Sequence, residues 1–188
     1  MSRGGHVNMP MPSQGHSFSQ VPSTSIPRSV FDRSHNLKTT FNGGQLVPFY
    51  FDEALPGDTF NLSTSGFARL STPIFPVMDN MFMETFYFFV PNRLIWDNWE
   101  KMMGQQDNPG DSTDYLVPQI VTDDPGGWPS LALADYFGIP IGAKSSDVAF
   151  NSLHIRAYNL IFDEWFRDQN LQDSIVPVGY PNGFDDGP

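Results

Sequence analysis

Residues 83–90 (METFYFFV) can settle only between two apolar layers. In an extended chain Phe86, Phe88 and Val90 fall on one face, while Tyr87 and Phe89 fall on the other. Both faces need cover, as for a strand packed from two sides, and Pro91 ends the run. Shorter segments of the same kind precede it. Residues 45–52 (QLVPFYFD) read as a strand, with Pro48 placing it at a sheet edge or a bulge. Leu55, Pro56, Gly57 and Asp58 fit a type II turn, with Pro and Gly at the two central positions. Residues 59–63 alternate, putting Phe60 and Leu62 on one face, and 66–70 continue briefly. With 17 Phe to bury and 17 Pro and 16 Gly to punctuate the chain, the expectation is a loop-rich, mainly β protein with aromatic packing.

Three helices are predicted among these segments. Asn92 can cap 93–103, where Ile95, Trp99 and Met102 make a stripe and Gly104 stops the helix. Ser130 can cap 131–137, with Gly138 at its end and Pro140 beyond. The longest spans 151–169, with Leu153, Ala157, Leu160, Ile161 and Trp165 on one side. Ile155, Tyr158, Phe162 and Phe166 widen that stripe, so this helix needs packing on two sides. Asp163 and Arg167 stand one turn apart as an ion pair. Residues 104–129 and 170–188 are rich in Asp, Gly and Pro and read as long loops that reach outward.

Charge divides the chain. The net charge is −11, yet residues 1–40 hold Arg3, Arg28, Arg33 and Lys38 against Asp32 alone, a balance of +3. The remainder carries six basic and 20 acidic side chains, or −14. The body should repel a phosphate backbone and the arm could attract one, over no more than about 8–10 Å at physiological salt. Residues 1–27, poor in large apolar side chains, read as a disordered arm or a linker. With no Cys, disulfides, thiolate metal sites and Cys nucleophiles are excluded, which fits assembly in a reducing cytoplasm. No stretch approaches the ~20 apolar residues of a membrane span, and no membrane partner is expected.

Catalytic chemistry finds no foothold. Only His154 lies in the structured body, where it reads as a packed or surface helix residue, and no G-x-S-x-G elbow surrounds any Ser. Phosphate-binding glycine motifs are missing, and His6, His16 and His35 are too far apart in sequence for a preformed metal site. The acidic loop 107–114 is the best cation candidate, but it lacks EF-hand spacing, and Asp111 or Ser112 capping a solvated turn is the better account. No catalytic residue, cofactor or metal is therefore expected. Trp96 and Trp99 suit core or interface anchors, since Asp97 and Glu100 intervene where base stacking would need positive charge. Arg28, Arg33, His35 and Lys38 are the candidate contacts to DNA or to a neighbouring subunit, with solvated charges as the plain alternative.

Several blocks have a specific likeness. Residues 28–60 read RSVFDRSHNLKTTFNGGQLVPFYFDEALPGDTF. Downstream come PVMDN at 76–80, FFVPNRLIW at 88–96, FGIP at 137–140, RAYNLI at 156–161 and WFRDQNL at 165–171. In order and spacing these resemble the major capsid protein family of the Microviridae, small single-stranded DNA phages, in their gokushovirus branch. The resemblance implies an antiparallel jelly roll with loop and helix insertions, incomplete in this chain. Residues 1–42 would be an extended arm and 43–188 the first part of the capsid domain, with further strands beyond 188. It implies a structural subunit, not an enzyme, of a T=1 icosahedral virion. The partners would be identical subunits, packaged circular single-stranded DNA and other virion proteins, with assembly in the bacterial cytoplasm. Two other classes stand beside it: a carbohydrate-binding or host-attachment β module, and a carboxylate-dependent hydrolase.

Overall fold

The computed structural model describes residues 25–122, 124–144 and 149–175. The chain divides into two units, Met1–Asn36 and Leu37–Pro188, a boundary six residues before the end of the arm that the resemblance implies. In the first unit the described residues form an exposed segment without helix or strand.

The second unit is built around short helices. A 3-10 turn, Asn92–Leu94, leads into α1, Trp99–Met102, and α2 follows at Leu133–Tyr136. The longest helix is α3, Leu153–Ile161, which runs on as a π turn, Phe162–Phe166. Two residues from each of two short strands pair antiparallel: β1, Gln119–Ile120, lies against β2, Phe150–Asn151, with Gln119 opposite Asn151 and Ile120 opposite Phe150.

Around these elements the predicted boundaries shift for local reasons. Residues 93–103 do not form one helix, because the chain tightens to a 3-10 turn at 92–94 and restarts at Trp99; Asn92 lies inside that turn, and neither cap position, Pro91 or Asn98, makes a side-chain cap. Gly104 ends α1 as expected, at φ 102°, a conformation that favours glycine. Ser130 is not a cap. Leu131 takes φ 59°, and its amide donates to Asp135 Oδ2 at 2.8 Å, so α2 begins only at Leu133. Gly138, at φ 81°, terminates α2 in the predicted place. At α3 the Asn151 side chain receives the Leu153 amide at 2.9 Å, and Arg167 N donates back to Phe162 O at 2.9 Å, closing the π turn.

The predicted strand segments 45–52, 59–63, 66–70 and 83–90 carry no hydrogen-bonded ladder among the described residues. A ladder requires a second backbone in register, and here neighbouring segments meet through side chains instead. The Tyr87 hydroxyl lies 2.6 Å from Thr64 Oγ1, and a Cβ on Gly66 would meet Met83 Cε, so 64–66 and 83–87 run in opposite senses. The period-two faces survive, but the expected cover on both of them does not form: Phe89 is 80% exposed, and Phe86 and Tyr87 are half-exposed. Phe86 and Phe88 turn to the rings of Phe166 and Trp165, Val90 packs on the core, and Tyr87 on the other face meets Phe49 edge-on. The 55–58 turn forms as predicted, with Asp58 N donating to Leu55 O at 3.0 Å and Gly57 at φ 88°.

The core is small. Ile95 (1% exposed), Trp96 (2%) and Leu153 form its centre, with Val90, Trp99, Met102, Tyr115, Ala157 and Leu160 packed around them. Two polar stitches hold this centre in place. Arg156 donates from Nη1 to Ile95 O at 3.2 Å, and the Ser152 hydroxyl donates to Pro118 O at 3.0 Å.

Candidate functional site

Residues 37–53 cross the helical layer as a strap, and the fastening is specific. Tyr136 at the end of α2 donates its hydroxyl to Thr40 O at 3.1 Å, and Tyr158 of α3 donates to Leu46 O at 2.9 Å. Burial raises the Tyr158 pKa above the ordinary tyrosine value, so the phenol stays a donor. Farther along, Phe51 packs against both Phe137 and His154, at ring-centroid distances of 5.3 and 5.0 Å. His154 Nε2 stands 3.5 Å from Glu53 Oε1. His154, expected as a packed or surface helix residue, is half-buried on α3. Tyr136 and Glu53 carry no signal in the sequence. Tyr158 did stand in the apolar stripe of α3, and a phenol there needs a hydrogen-bond partner when buried.

At the far end of α3 the π turn separates Asp163 from Trp165. Asp163 is buried, and its carboxylate accepts the Ser174 hydroxyl and the Ile175 amide. Arg167 Nε lies 3.4 Å from the same carboxylate, the ion pair expected at this spacing, but without hydrogen-bond geometry. Trp165, predicted on the apolar stripe, is instead 72% exposed and touches the ring of Phe88. Phe60, Phe67, Ile74, Phe75, Phe82 and Phe89 are also exposed, so the 59–90 region presents a broad apolar surface.

The arm candidates are all exposed. Arg28, Arg33 and His35 belong to the first unit and Lys38 to the second. The segment is shaped locally: Ser34 N donates to Asp32 Oδ1 at 2.9 Å, and His35 Nδ1 lies 3.0 Å from Arg33 O. Hydrogen bonds from the Ser34 hydroxyl and then its amide lower the Asp32 pKa. This turn is therefore favoured above the usual carboxylate range and lost as the pH falls through the lowered value.

The acidic loop is a capped turn. Asp111 Oδ2 accepts the amides of Asp107 and Asn108 at 3.1 and 2.9 Å, while Ser112 Oγ accepts the Asp114 amide at 3.1 Å. Among the described residues no group of three acidic or His side chains is placed to hold a metal. Tyr115, the aromatic next to this loop, packs inward on the core and does not form a sugar-stacking platform.

Sequence comparison bears on the whole of this surface. The profile of a family described as capsid protein (F protein) matches residues 19–182. The chain is 51% identical over 173 residues to capsid protein VP1 of Bdellovibrio phage phiMH2K, covering 92% of this chain and 31% of that protein. It is 49% identical to capsid protein VP1 of Chlamydia phage 1, over 84% of this chain and 27% of the relative. Capsid protein VP1 of Spiroplasma virus 4 is 38% identical, over 86% of this chain and 29% of the relative. The chain thus spans a little under a third of the length of the relatives it matches.

Proposed function

The chain belongs to the capsid protein (F protein) family of the Microviridae, and from that premise we propose that it forms part of the structural subunit of a phage shell. The observation that carries this reading is about 50% identity to two capsid proteins over most of the chain. Its surface is consistent with that role. Shell assembly buries apolar area between copies and requires no reacting group, and the exposed Phe60–Phe89 region offers such area. The shell would be a T=1 icosahedron around circular single-stranded DNA, assembled in the bacterial cytoplasm from identical subunits.

The same reading makes 45–52, 59–63 and 83–90 strands of an antiparallel jelly roll. Their interleaved side chains and the missing ladder among the described residues suit segments whose backbone partners correspond to the stretch of the relatives that this chain does not match. Arg28, Arg33, His35 and Lys38 would meet packaged DNA or a neighbouring subunit from the exposed arm. The test is mass spectrometry of particles purified from the producing bacterium. Peptides from 28–60 and 83–101 should be present as a major, stoichiometric component. Recovery of these peptides only outside the particles would overturn the reading.

A further inference from the structure

Tyr136 and Tyr158 fasten the strap at Thr40 O and Leu46 O, and between those points the chain turns at Gly43 and Gly44. The turn leaves a reactive pair in the open. Asn42 and Gly43 are both exposed, and a Cβ on Gly43 would meet nothing within 4 Å. Among the described residues the Gly43 amide has no hydrogen-bond partner. We propose that Asn42 is a site of spontaneous deamidation, through which the strap acquires an isoaspartyl linkage between its two fastenings and loosens as the protein ages.

The reaction needs only the chain, hydroxide and water. The Gly43 amide nitrogen gives its proton to hydroxide and attacks Asn42 Cγ. A new C–N bond forms, the bond from Cγ to the side-chain nitrogen breaks, and ammonia leaves. The cyclic imide then takes up one water at either carbonyl. Opening at one gives Asp, and opening at the other gives isoaspartate, whose main chain runs through Cγ and is one carbon longer. Either product carries a carboxylate where a neutral amide stood. Because the attack is intramolecular, its rate follows how readily the nitrogen reaches Cγ. Glycine, with no Cβ, leaves that approach unhindered.

The fold separates this asparagine from the others. Asn42 is the only described Asn followed by glycine; Asn182, before Gly183, lies outside the described residues. Asn108 precedes a proline, which has no amide hydrogen to lose. Asn151 precedes the small Ser152, but there both reacting groups are engaged. The buried Ser152 donates its amide to Pro118 O at 2.9 Å, and Asn151 Oδ1 accepts the Leu153 amide at 2.9 Å. At Asn42 the residue's own amide donates to Gln45 Oε1 at 3.1 Å, which ties up neither the side chain nor Gly43 N. An extra backbone carbon at 42 changes the spacing between Thr40 and Leu46 that the two tyrosine bonds require. The proposal is independent of the capsid reading.

The full chain is incubated at pH 8 and 37 °C beside a free peptide of residues 38–48. Mass spectrometry follows the tryptic peptide 39–69, with fragmentation assigning any change to Asn42 or Asn61. Asn42 should convert within about three-fold of the peptide rate, and Asn151 at least about ten-fold more slowly. Gly43→Ala fits the open space at a φ that is not left-handed, and it should slow conversion at least about ten-fold. Strap opening is read by chymotrypsin cleavage after Phe49, Tyr50 and Phe51. The deamidated fraction, isolated by anion exchange, is compared with Asn42→Asp, which has the charge without the extra carbon. The deamidated chain should be cut about two- to five-fold faster, the worth of one neutral hydrogen bond. An Asn42 that stays intact while the peptide converts would overturn the site, as would undiminished conversion in Gly43→Ala. Equal cleavage of the deamidated chain and Asn42→Asp would overturn the loosening.

Discussion

Tyr158 shows how one side chain can serve two layers. Its ring lies in the apolar stripe of α3, and its hydroxyl reaches Leu46 O on the strap. Tyr158→Phe keeps the ring and leaves that carbonyl without its donor, a loss of about 1 kcal/mol in urea unfolding. The raised pKa adds an alkaline signature. Below the unfolded value near 10 both states keep the proton, so stability is complete. Above it the unfolded chain ionises first, and stability falls until the pH passes the raised folded value. Unfolding followed between pH 9 and 12 should show this loss, and Tyr158→Phe should lack that share of it. Among the aromatic residues, Trp96→Ala should cost about 3–5 kcal/mol, because Trp96 is 2% exposed at the centre of the core. Phe88, at 36% exposed with its ring on Trp165, should cost clearly less in this chain. Equal losses for the two would place Phe88 deeper than its exposure indicates.

Between residue and fold, glycines separate two kinds of constraint. Gly138 follows α2 at φ 81° with open space around its missing Cβ, so Gly138→Ala costs only the left-handed backbone, about 1–2 kcal/mol. Gly127 has a similar φ of 79°, but a Cβ there would stand 2.4 Å from both the carbonyl carbon and oxygen of Gly142. That close approach is held by Trp128 N donating to Ala143 O at 3.2 Å and Gly142 N to Trp128 O at 2.9 Å. Gly127→Ala should therefore cost about 2–5 kcal/mol, the sum of backbone strain and displacement of the facing chain. Urea midpoints of the two variants compare them directly, and a Gly127→Ala loss no larger than that of Gly138→Ala would contradict the contact. At the π turn, Asp163→Ala removes the acceptor for Ser174 and Ile175 and leaves the Arg167 guanidinium without its carboxylate. Residues 167–175 should then be cut by trypsin at Arg167 faster than in the wild type, with little change at Arg93.

On the scale of the molecule, charge and apolar exposure point outward in different places. The arm carries Arg28, Arg33, His35 and Lys38 on an exposed segment, while the body is strongly acidic. Replacing Arg28, Arg33 and Lys38 together with Ala should leave the urea midpoint of the chain unchanged within about 0.5 kcal/mol. Single-stranded DNA binding, if the arm carries it, should lose about 0.7 of logarithmic salt slope for each charge removed. A fall in folding stability would place these side chains in the architecture of the subunit. The exposed rings of Phe60, Phe67, Phe75, Phe82 and Phe89 fit a chain whose apolar surface is completed by further protein.

Local physics made much of this legible in the sequence. Gly104 and Gly138 end their helices and Gly57 takes the positive φ of its turn, because these depend on a few adjacent dihedral angles. The alternation of 83–90 likewise places Phe86 and Phe88 on the side of Phe166 and Trp165, with Tyr87 opposite. The capsid family is legible for another reason: the blocks between 28 and 171 resemble it in order and spacing, and identity near 50% runs over most of the chain. Only the tertiary structure decided what depends on distant partners. Whether 45–52 and 83–90 make a ladder rests on a second backbone beside them, and the helix expected at 93–103 yields to the packing of Ile95 and Trp96 against Leu153. The Tyr136, Tyr158 and His154 contacts join residues roughly a hundred positions apart, and hydrophobic periodicity carries no information about which carbonyl or carboxylate a polar tip will meet.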